Sequence, residues 1–319
     1  MAQFAPSRRT FAALAAAGLL CPRPARAFQD IEYGPGWRLA PPGGPGYRPP
    51  ADLKTVEDIY RRMTAPIGVN GQGPFQFVVD TGANQSVISL ELAAKLGLPQ
   101  GPDEPLNGVA GIEFEPTTTV RLDVGGRVQP AAVLSMLPAR AIGGDGMLGL
   151  DSLEGQMLTL DFGGQRLRID APRWRSYNPE EIAVKAHRRD GQLTLVDADL
   201  AGMPLVAFLD SGAQNTIGNM ALRQLAITRH PTCLMTDAPI ISALGQTIPA
   251  EMAELPGLRV GSLRLPNWSV AFADLHTFRM WNLVDQPAIL LGVDVLSRFA
   301  YVRLDFARDE VNFRLPQRA

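Results

Sequence analysis

Two tripeptides carry the chemistry open to this sequence: Asp80-Thr81-Gly82 and Asp210-Ser211-Gly212. Each follows an apolar run, Val78-Val79 in one case and Phe208-Leu209 in the other, so each acid stands at the end of a strand that must be buried. A carboxylate in that place is costly unless donors solvate it or chemistry uses it. The glycine permits a tight turn with its backbone N–H aimed at the carboxylate, and the hydroxyl can brace a partner loop. One such unit is half a device. Two related by pseudo-symmetry set two carboxyls face to face, too close for both to ionise, so the pair shares a proton. The ionised member then acts as base on a water while the protonated member polarises a carbonyl. This is acid–base hydrolysis without a metal, a cofactor or a covalent intermediate.

The elements that position these acids repeat. Gly71–Ala83 aligns with Ala201–Ala213. Leu90–Leu98 and Met220–Ile227 follow, each with the three-to-four spacing of one amphipathic helix. Gly146–Leu153 matches Ile289–Leu296, and Leu158–Phe162 matches Val302–Phe306. Each of the last pair is followed by a turn and an alternating strand, Arg166–Ile169 and Glu310–Leu315. The aspartates lie 130 residues apart and the later glycines, Gly149 and Gly292, 143 apart. The chain is therefore two versions of one mostly β unit, 64–170 and 191–315, joined by a polar connection over 171–190. A single Asp-[Ser/Thr]-Gly arises by chance roughly a few tenths of a time in a chain of this size. Two copies with matching downstream segments do not, and reading both acids as mere turn caps leaves that match unexplained.

Composition bounds the rest. The 319 residues are 46% hydrophobic and 19% charged with a formal charge of −2, which suits a real core and excludes chain-wide disorder. Gly 31 and Pro 27 argue for many short strands and turns. No dense basic run offers nucleic acid a surface. Two cysteines exclude a disulfide scaffold, and His187, His230 and His276 lack metal-site spacing, so no metal or other cofactor is expected. Gly143–Gly146 lacks the Lys-Ser/Thr of a phosphate loop, and no Gly-x-Ser-x-Gly supports a serine hydrolase.

Residues 1–27 are expected to be a signal peptide. Arg8-Arg9 inside Ser-Arg-Arg-x-Phe, an uncharged Ala12–Leu20 and a closing Ala25-Arg26-Ala27 are its three parts, and the arginine pair is similar to a twin-arginine export signal. An ordinary secretory signal is the alternative. The apolar run is about half of the ~20 residues that cross a bilayer, so no stable membrane anchor is expected, and the product is expected to be periplasmic or secreted. Cleavage after Ala27 would leave 26 basic against 32 acidic residues and Cys233 as the sole cysteine. Residues 28–63, rich in Gly and Pro at the start, read as a linker or a removable pro-segment, with a short helix over Lys54–Met63 leading into the first unit.

With these residues in view, the sequence resembles the retropepsin-like aspartic proteases, and its two units in one chain resemble the pepsin arrangement. Exported bacterial members of the retropepsin-like group are the nearest in character. The resemblance runs over 64–315 and implies an all-β fold of two pseudo-symmetric acid-protease-like β-barrel lobes with a cleft between them. It implies that Asp80 and Asp210 are catalytic, that Thr81 and Ser211 brace the two loops beside Gly82 and Gly212, and that Met147-Leu148-Gly149 and Leu290-Leu291-Gly292 pack behind them. The implied activity is aspartic endopeptidase action on an extended polypeptide, by a monomer whose dyad is intramolecular. The sequence departs from pepsins at Ala83 and Ala213, where a hydroxyl donor is missing; the dyad should then titrate higher and work at mildly acidic to neutral pH, above about pH 5. Neither candidate flap, Leu106–Ile112 with Gly108 and Gly111 or Ser242–Gln246 with Gly245, carries the tyrosine of pepsin flaps.

Other features weigh less. Trp268, Phe272, Phe278, Met280 and Trp281 form an aromatic cluster, read as core in preference to a loop over the cleft. Asp161 and Asp305 read as structural, and Asp145, Asp151 and Asp294 as turn or cap acids. Two rivals stand beside the protease reading: a non-cleaving peptide-binding module with the same fold, and a homodimer pairing units from two chains.

Overall fold

Alternation of apolar and polar residues sets the strands, and glycine-containing turns fold them back on one another. The computed structural model describes residues 49–152, 157–171, 178–189, 192–195, 198–242, 245–255, 257–266 and 268–316, all within one compact unit, Gly46–Ala319. The expected leader and the Gly/Pro-rich stretch up to residue 48 lie outside the described residues, as do Ala243 and Leu244 of the second candidate flap.

The first repeat supplies β1 (Ala51–Lys54), β2 (Val56–Glu57), β3 (Met63–Val69), β4 (Gln72–Val79), β5 (Val87–Ser89), α1 (Leu90–Lys95), β6 (Asp103–Asn107), β7 (Ile112–Val124), β8 (Arg127–Leu137), α2 (Ala139–Ile142), β9 (Gly146–Leu148), β10 (Met157–Asp161) and β11 (Arg166–Asp170). The second begins with β12 (Glu181–Arg189), β13 (Gln192–Leu195), β14 (Ala198–Leu200), β15 (Met203–Pro204), β16 (Val206–Leu209), β17 (Ile217–Gly218) and α3 (Met220–Arg229). It continues through β18 (Thr236–Asp237), β19 (Ile240–Ile241), β20 (Thr247–Ile248), β21 (Glu251–Leu255), β22 (Leu258–Val260), β23 (Leu263–Leu265) and β24 (Trp268–Phe272). It closes with α4 (His276–Met280), β25 (Ala288–Leu291), α5 (Val293–Leu296), β26 (Tyr301–Asp305) and β27 (Glu310–Arg314). The fold is all-β, with five short α-helices and one 3-10 turn, Leu150–Ser152, among the described residues. None of them is long and apolar enough to cross a membrane.

The pairing pattern is the same in both repeats. β4 runs parallel to β9, β9 antiparallel to β5, and β5 parallel to β8; likewise β16 to β25, β25 to β17, and β17 to β24. The repeats join through β10 and β26, where Thr159 stands opposite Arg303, its own equivalent in the repeat. Antiparallel pairing of a strand with its equivalent is what a local two-fold axis requires. The two amphipathic stretches form α1 and α3, each opened by a side-chain cap (Ser89 to the Leu92 N–H, Asn219 to the Leu222 N–H).

Two stretches read as connectors are built into the sheets. Residues 51–54, the end of the expected linker, pair with β11 as Ala51↔Ile169 and Leu53↔Leu167, with Ala51 and Leu53 buried and Asp52 and Lys54 exposed. The helix expected over Lys54–Met63 is a hairpin. Asp58 turns the chain by accepting from the N–H groups of Tyr60 (2.8 Å) and Arg62 (2.9 Å), and Arg61 takes φ +64°, which a helix cannot contain. Within the connection read over 171–190, β12 pairs with β27 through Val184↔Val311 and with β13 through Ala186↔Leu195. Its exposed Lys185, His187 and Arg188 gave it a polar composition, while Val184 and Ala186 carry the buried face.

Candidate active site

Strand β4 enters the core with Phe77, Val78 and Val79 fully buried and hands on Asp80; β16 does the same with Ala207, Phe208 and Leu209 before Asp210. Each strand end is fixed by its parallel neighbour, with the Asp80 N–H donating to the Leu148 carbonyl and the Asp210 N–H to the Leu291 carbonyl, both at 3.0 Å. Each carboxylate sits in its own turn. Asp80 Oδ1 accepts from the N–H groups of Gly82 (2.7 Å) and Ala83 (3.0 Å), and Asp210 Oδ1 from those of Gly212 and Ala213 (both 3.0 Å).

The two loops grip each other through their hydroxyls. Thr81 Oγ1 donates to the Leu209 carbonyl (2.9 Å) and accepts from the Ser211 N–H (3.1 Å). Ser211 Oγ donates to the Val79 carbonyl (2.7 Å) and accepts from the Thr81 N–H (3.1 Å). Both residues are wholly buried. Four buried backbone groups are thereby satisfied by two side chains, and removing either hydroxyl would orphan one donor and one acceptor.

The glycines serve closeness. Neither Gly82 nor Gly212 takes a positive φ, so the turn itself does not demand glycine. A Cβ on Gly82 would stand 2.6 Å from the Asp210 carboxyl carbon, and one on Gly212 2.2 Å from an Asp80 oxygen. Only a bare backbone lets each loop pass that near the other's acid. Behind the loops, a Cβ on Gly149 would meet the Gln85 carbonyl group at 2.7 Å and one on Gly292 the Asn215 carbonyl carbon at 2.6 Å. The apolar-apolar-Gly segments therefore back the loops, with Leu150 N–H bonded to the Ala83 carbonyl and Val293 N–H to the Ala213 carbonyl (both 2.9 Å).

Burial raises the pKa of both aspartates, and it is the largest influence on each. The Asp210 carboxyl is pushed up to about 8, first by burial and then by the charge of Asp80. Asp80 is raised by burial and opposed by its two backbone donors, by Arg62 and by a hydrogen bond from Asp210. The two carboxyls face each other across the glycines, and the charge of Asp80 disfavours ionisation of Asp210.

Several supporting residues escaped the sequence reading. Asp151, read as a cap acid, accepts from both the N–H (3.0 Å) and Oγ (2.6 Å) of Ser86, whose Oγ in turn accepts from the Gly149 N–H (2.9 Å). Asp294 does the same for Thr216, whose Oγ1 accepts from the Gly292 N–H. These acids lock the segment after each aspartate loop to the segment behind it. The offsets would have found them, since Ser86 and Thr216 are 130 apart and Asp151 and Asp294 are 143 apart. Arg62 and Gln192 also escaped notice, although each stands 18 residues before its aspartate. Arg62 Nη1 donates to the Gly212 carbonyl (3.5 Å), and Gln192 Nε2 to the Gly82 carbonyl (3.1 Å). Asp161 and Asp305 are structural: Asp161 accepts from the Gly164 N–H and Asp305 from the Ala307 and Arg308 N–H groups, and each pairs with an arginine, Arg168 and Arg308 respectively.

The first candidate flap is the tip of the β6–β7 hairpin, closed by mutual hydrogen bonds between Gly108 and Gly111. It reaches the other repeat: the Val109 carbonyl accepts from the His276 N–H (2.8 Å), and Val109 packs on a buried cluster containing Phe208, Leu275, Phe278 and Trp281. Gly245 lies between β19 and β20, where its N–H donates to the Ser242 carbonyl, and the neighbouring Gln246 is hydrogen-bonded to Glu113 of β7. Of the aromatic cluster, Trp268, Phe272, Phe278 and Trp281 are buried and Met280 is 40% exposed. The Trp281 ring stacks on Phe208 with centroids 4.1 Å apart.

Residues 65–155 match the family described as gag-polyprotein putative aspartyl protease. No curated protein matches the chain. The family match contains Asp80, its turn, the β6–β7 hairpin and Gly149, and it supports a retropepsin-like aspartyl protease domain, a peptide hydrolase, in the first repeat.

Proposed function

We propose that this protein is an aspartic endopeptidase in which Asp80 and Asp210 form one dyad that activates water against a peptide bond. The observation that carries the reading is the reciprocal hydroxyl grip of Thr81 and Ser211, which holds the loops of the two buried acids against each other. In this arrangement the ionised carboxyl takes a proton from a water placed between the acids. The protonated carboxyl polarises the peptide carbonyl, and the dyad then returns a proton to the leaving nitrogen. Both loops come from one chain, so the device works as a monomer. In this reading an extended polypeptide binds under the β6–β7 hairpin, whose tip contacts the second repeat through Val109, and hairpins of this kind open and close over substrates. The leader-like residues 1–27 make periplasmic polypeptides the natural substrates.

The test is cleavage of a pool of unfolded proteins by the purified full chain across pH 3 to 8, read by mass spectrometry of new termini. Wild type should cut with a maximum above about pH 5, because Asp210 keeps its proton toward neutral pH. Asp80→Asn and Asp210→Asn should each lose activity by about a thousandfold or more. Retained cleavage in either variant would overturn the dyad. Folded wild type that binds peptides without cutting them at any pH would make the protein a peptide clamp.

A further inference from the structure

We infer that Arg62 makes the two aspartates unequal: it is a positioning residue that holds the negative charge on Asp80 and leaves the proton on Asp210, while Gln192 fills the matching place without a charge. This deepens the dyad reading above and rests on it.

The two side chains occupy one position of the repeat, each 18 residues before its own aspartate, Arg62 directly before β3 and Gln192 at the first residue of β13. Both cross to the opposite repeat and end on a glycine carbonyl. Arg62 Nη1 reaches Gly212, and Gln192 Nε2 reaches Gly82 and also Asn84 Oδ1 (2.9 Å). The crossing decides which acid each one faces. Gly212 lies against the Asp80 carboxyl and Gly82 against the Asp210 carboxyl. The guanidinium therefore stands one glycine away from Asp80, and a neutral amide stands one glycine away from Asp210.

Arg62 is held there. It is 6% exposed, its Nη2 donates to the Ile142 carbonyl (2.7 Å), and its Nε donates to Asp58 (2.8 Å). A Cβ on Gly143 would lie 2.2 Å from Nη2, so the glycine that ends α2 leaves the space the guanidinium fills. The charged and titratable groups facing Arg62 are Asp58 and Tyr60 on its own turn and Asp80 beyond Gly212; Tyr60 presents its ring at 5.1 Å. Asp58 offsets part of the cation, so the bias on Asp80 is the remainder. The directions agree: Arg62 favours the ionised form of Asp80, and the charge of Asp80 disfavours that of Asp210.

The experiment is a carbon-13 NMR titration of the full chain labelled at aspartate carboxyls, with the dyad signals assigned from Asp80→Asn and Asp210→Asn. Such a pair titrates in shared steps, and the carboxyl carbon that moves first names the acid that ionises first. In wild type Asp80 should move first. In Asp58→Asn, which keeps the cation and removes its counter-charge, the Asp80 midpoint should fall further. In the double variant Asp58→Asn/Arg62→Gln, which leaves no unpaired buried charge, the gap between the two midpoints should narrow by about one pH unit. Asp210 moving first in wild type, or an unchanged gap in the double variant, would overturn the inference. Turnover is not needed for this readout, so failure to cleave peptides sinks the hydrolytic reading separately.

Discussion

The two repeats agree where their loops meet and differ where they face away. Around the two aspartates the match extends to single hydrogen bonds: the Asp–Gly and Asp–Ala turn contacts, the exchanged hydroxyls, and the Ser86–Asp151 and Thr216–Asp294 locks. One step outward the match ends. Val78, Val87 and Met147 of the first repeat sit in a small aliphatic cluster with Leu106, Leu137 and Ile142. Their equivalents Phe208, Ile217 and Leu290 sit in a larger one built on Phe278 and Trp281, which also takes Val109 from the first repeat. Arg62 and Gln192 differ in charge at one position. The proposed dyad demands matched loops, since a displacement of one carboxyl would upset both. The flanks bear no such constraint, and there the halves diverge.

The sharpest way to break this comparison is at the closest approach. Gly82→Ala and Gly212→Ala should each abolish most cleavage, by about a hundredfold or more, because the new methyl falls on the opposite carboxyl and must be relieved by moving a loop. Gly212→Ala should be the worse, its contact being 2.2 Å against 2.6 Å. Normal cleavage by either variant would mean that the two loops do not approach each other this closely.

A second measurement sharpens the outer difference. Trp281→Ala and Ile142→Ala, compared by thermal unfolding, should both destabilise, by about 3–5 and 2–5 kcal/mol respectively. The tryptophan should lose more because it gives up the stack on Phe208 as well as its buried area. Equal losses would show that the aromatic cluster is no better packed than the aliphatic one.

The smallest effect concerns pH. The Asp210 carboxyl rises from 3.8 in the unfolded chain to about 8 when folded, so the folded state binds more protons between these values. Its contribution to stability is therefore fully present below pH 4 and is lost as pH rises toward 8. Asp210→Asn lacks this loss. The variant should melt about 4 °C above wild type at pH 7, a shift on the order of 1–2 kcal/mol in a domain of this size, and level with it near pH 4. A variant that melts below wild type at pH 7 would show that the buried acid costs the fold nothing.

What the sequence by itself determined was the pair of acids and their hydroxyl and glycine neighbours. These follow from a repeat whose offsets, 130 and 143, survive because strand and turn residues recur in order. It also determined the two capped helices and the strands behind the loops, where apolar periodicity is strong. It left β1 and β12 hidden, the first in a Pro/Gly-rich approach and the second under lysine and arginine on its exposed face. Only the tertiary structure decided that Gly82 and Gly212 serve closeness, that Asp151 and Asp294 are locks, and that a cation faces one acid and an amide the other. Such facts depend on which groups meet across long separations, 65 residues between Ser86 and Asp151 within one repeat and 150 between Arg62 and Gly212 across the two. Local pattern records what a residue prefers along its own strand. The partner that strand brings it to is set by the packing of the whole.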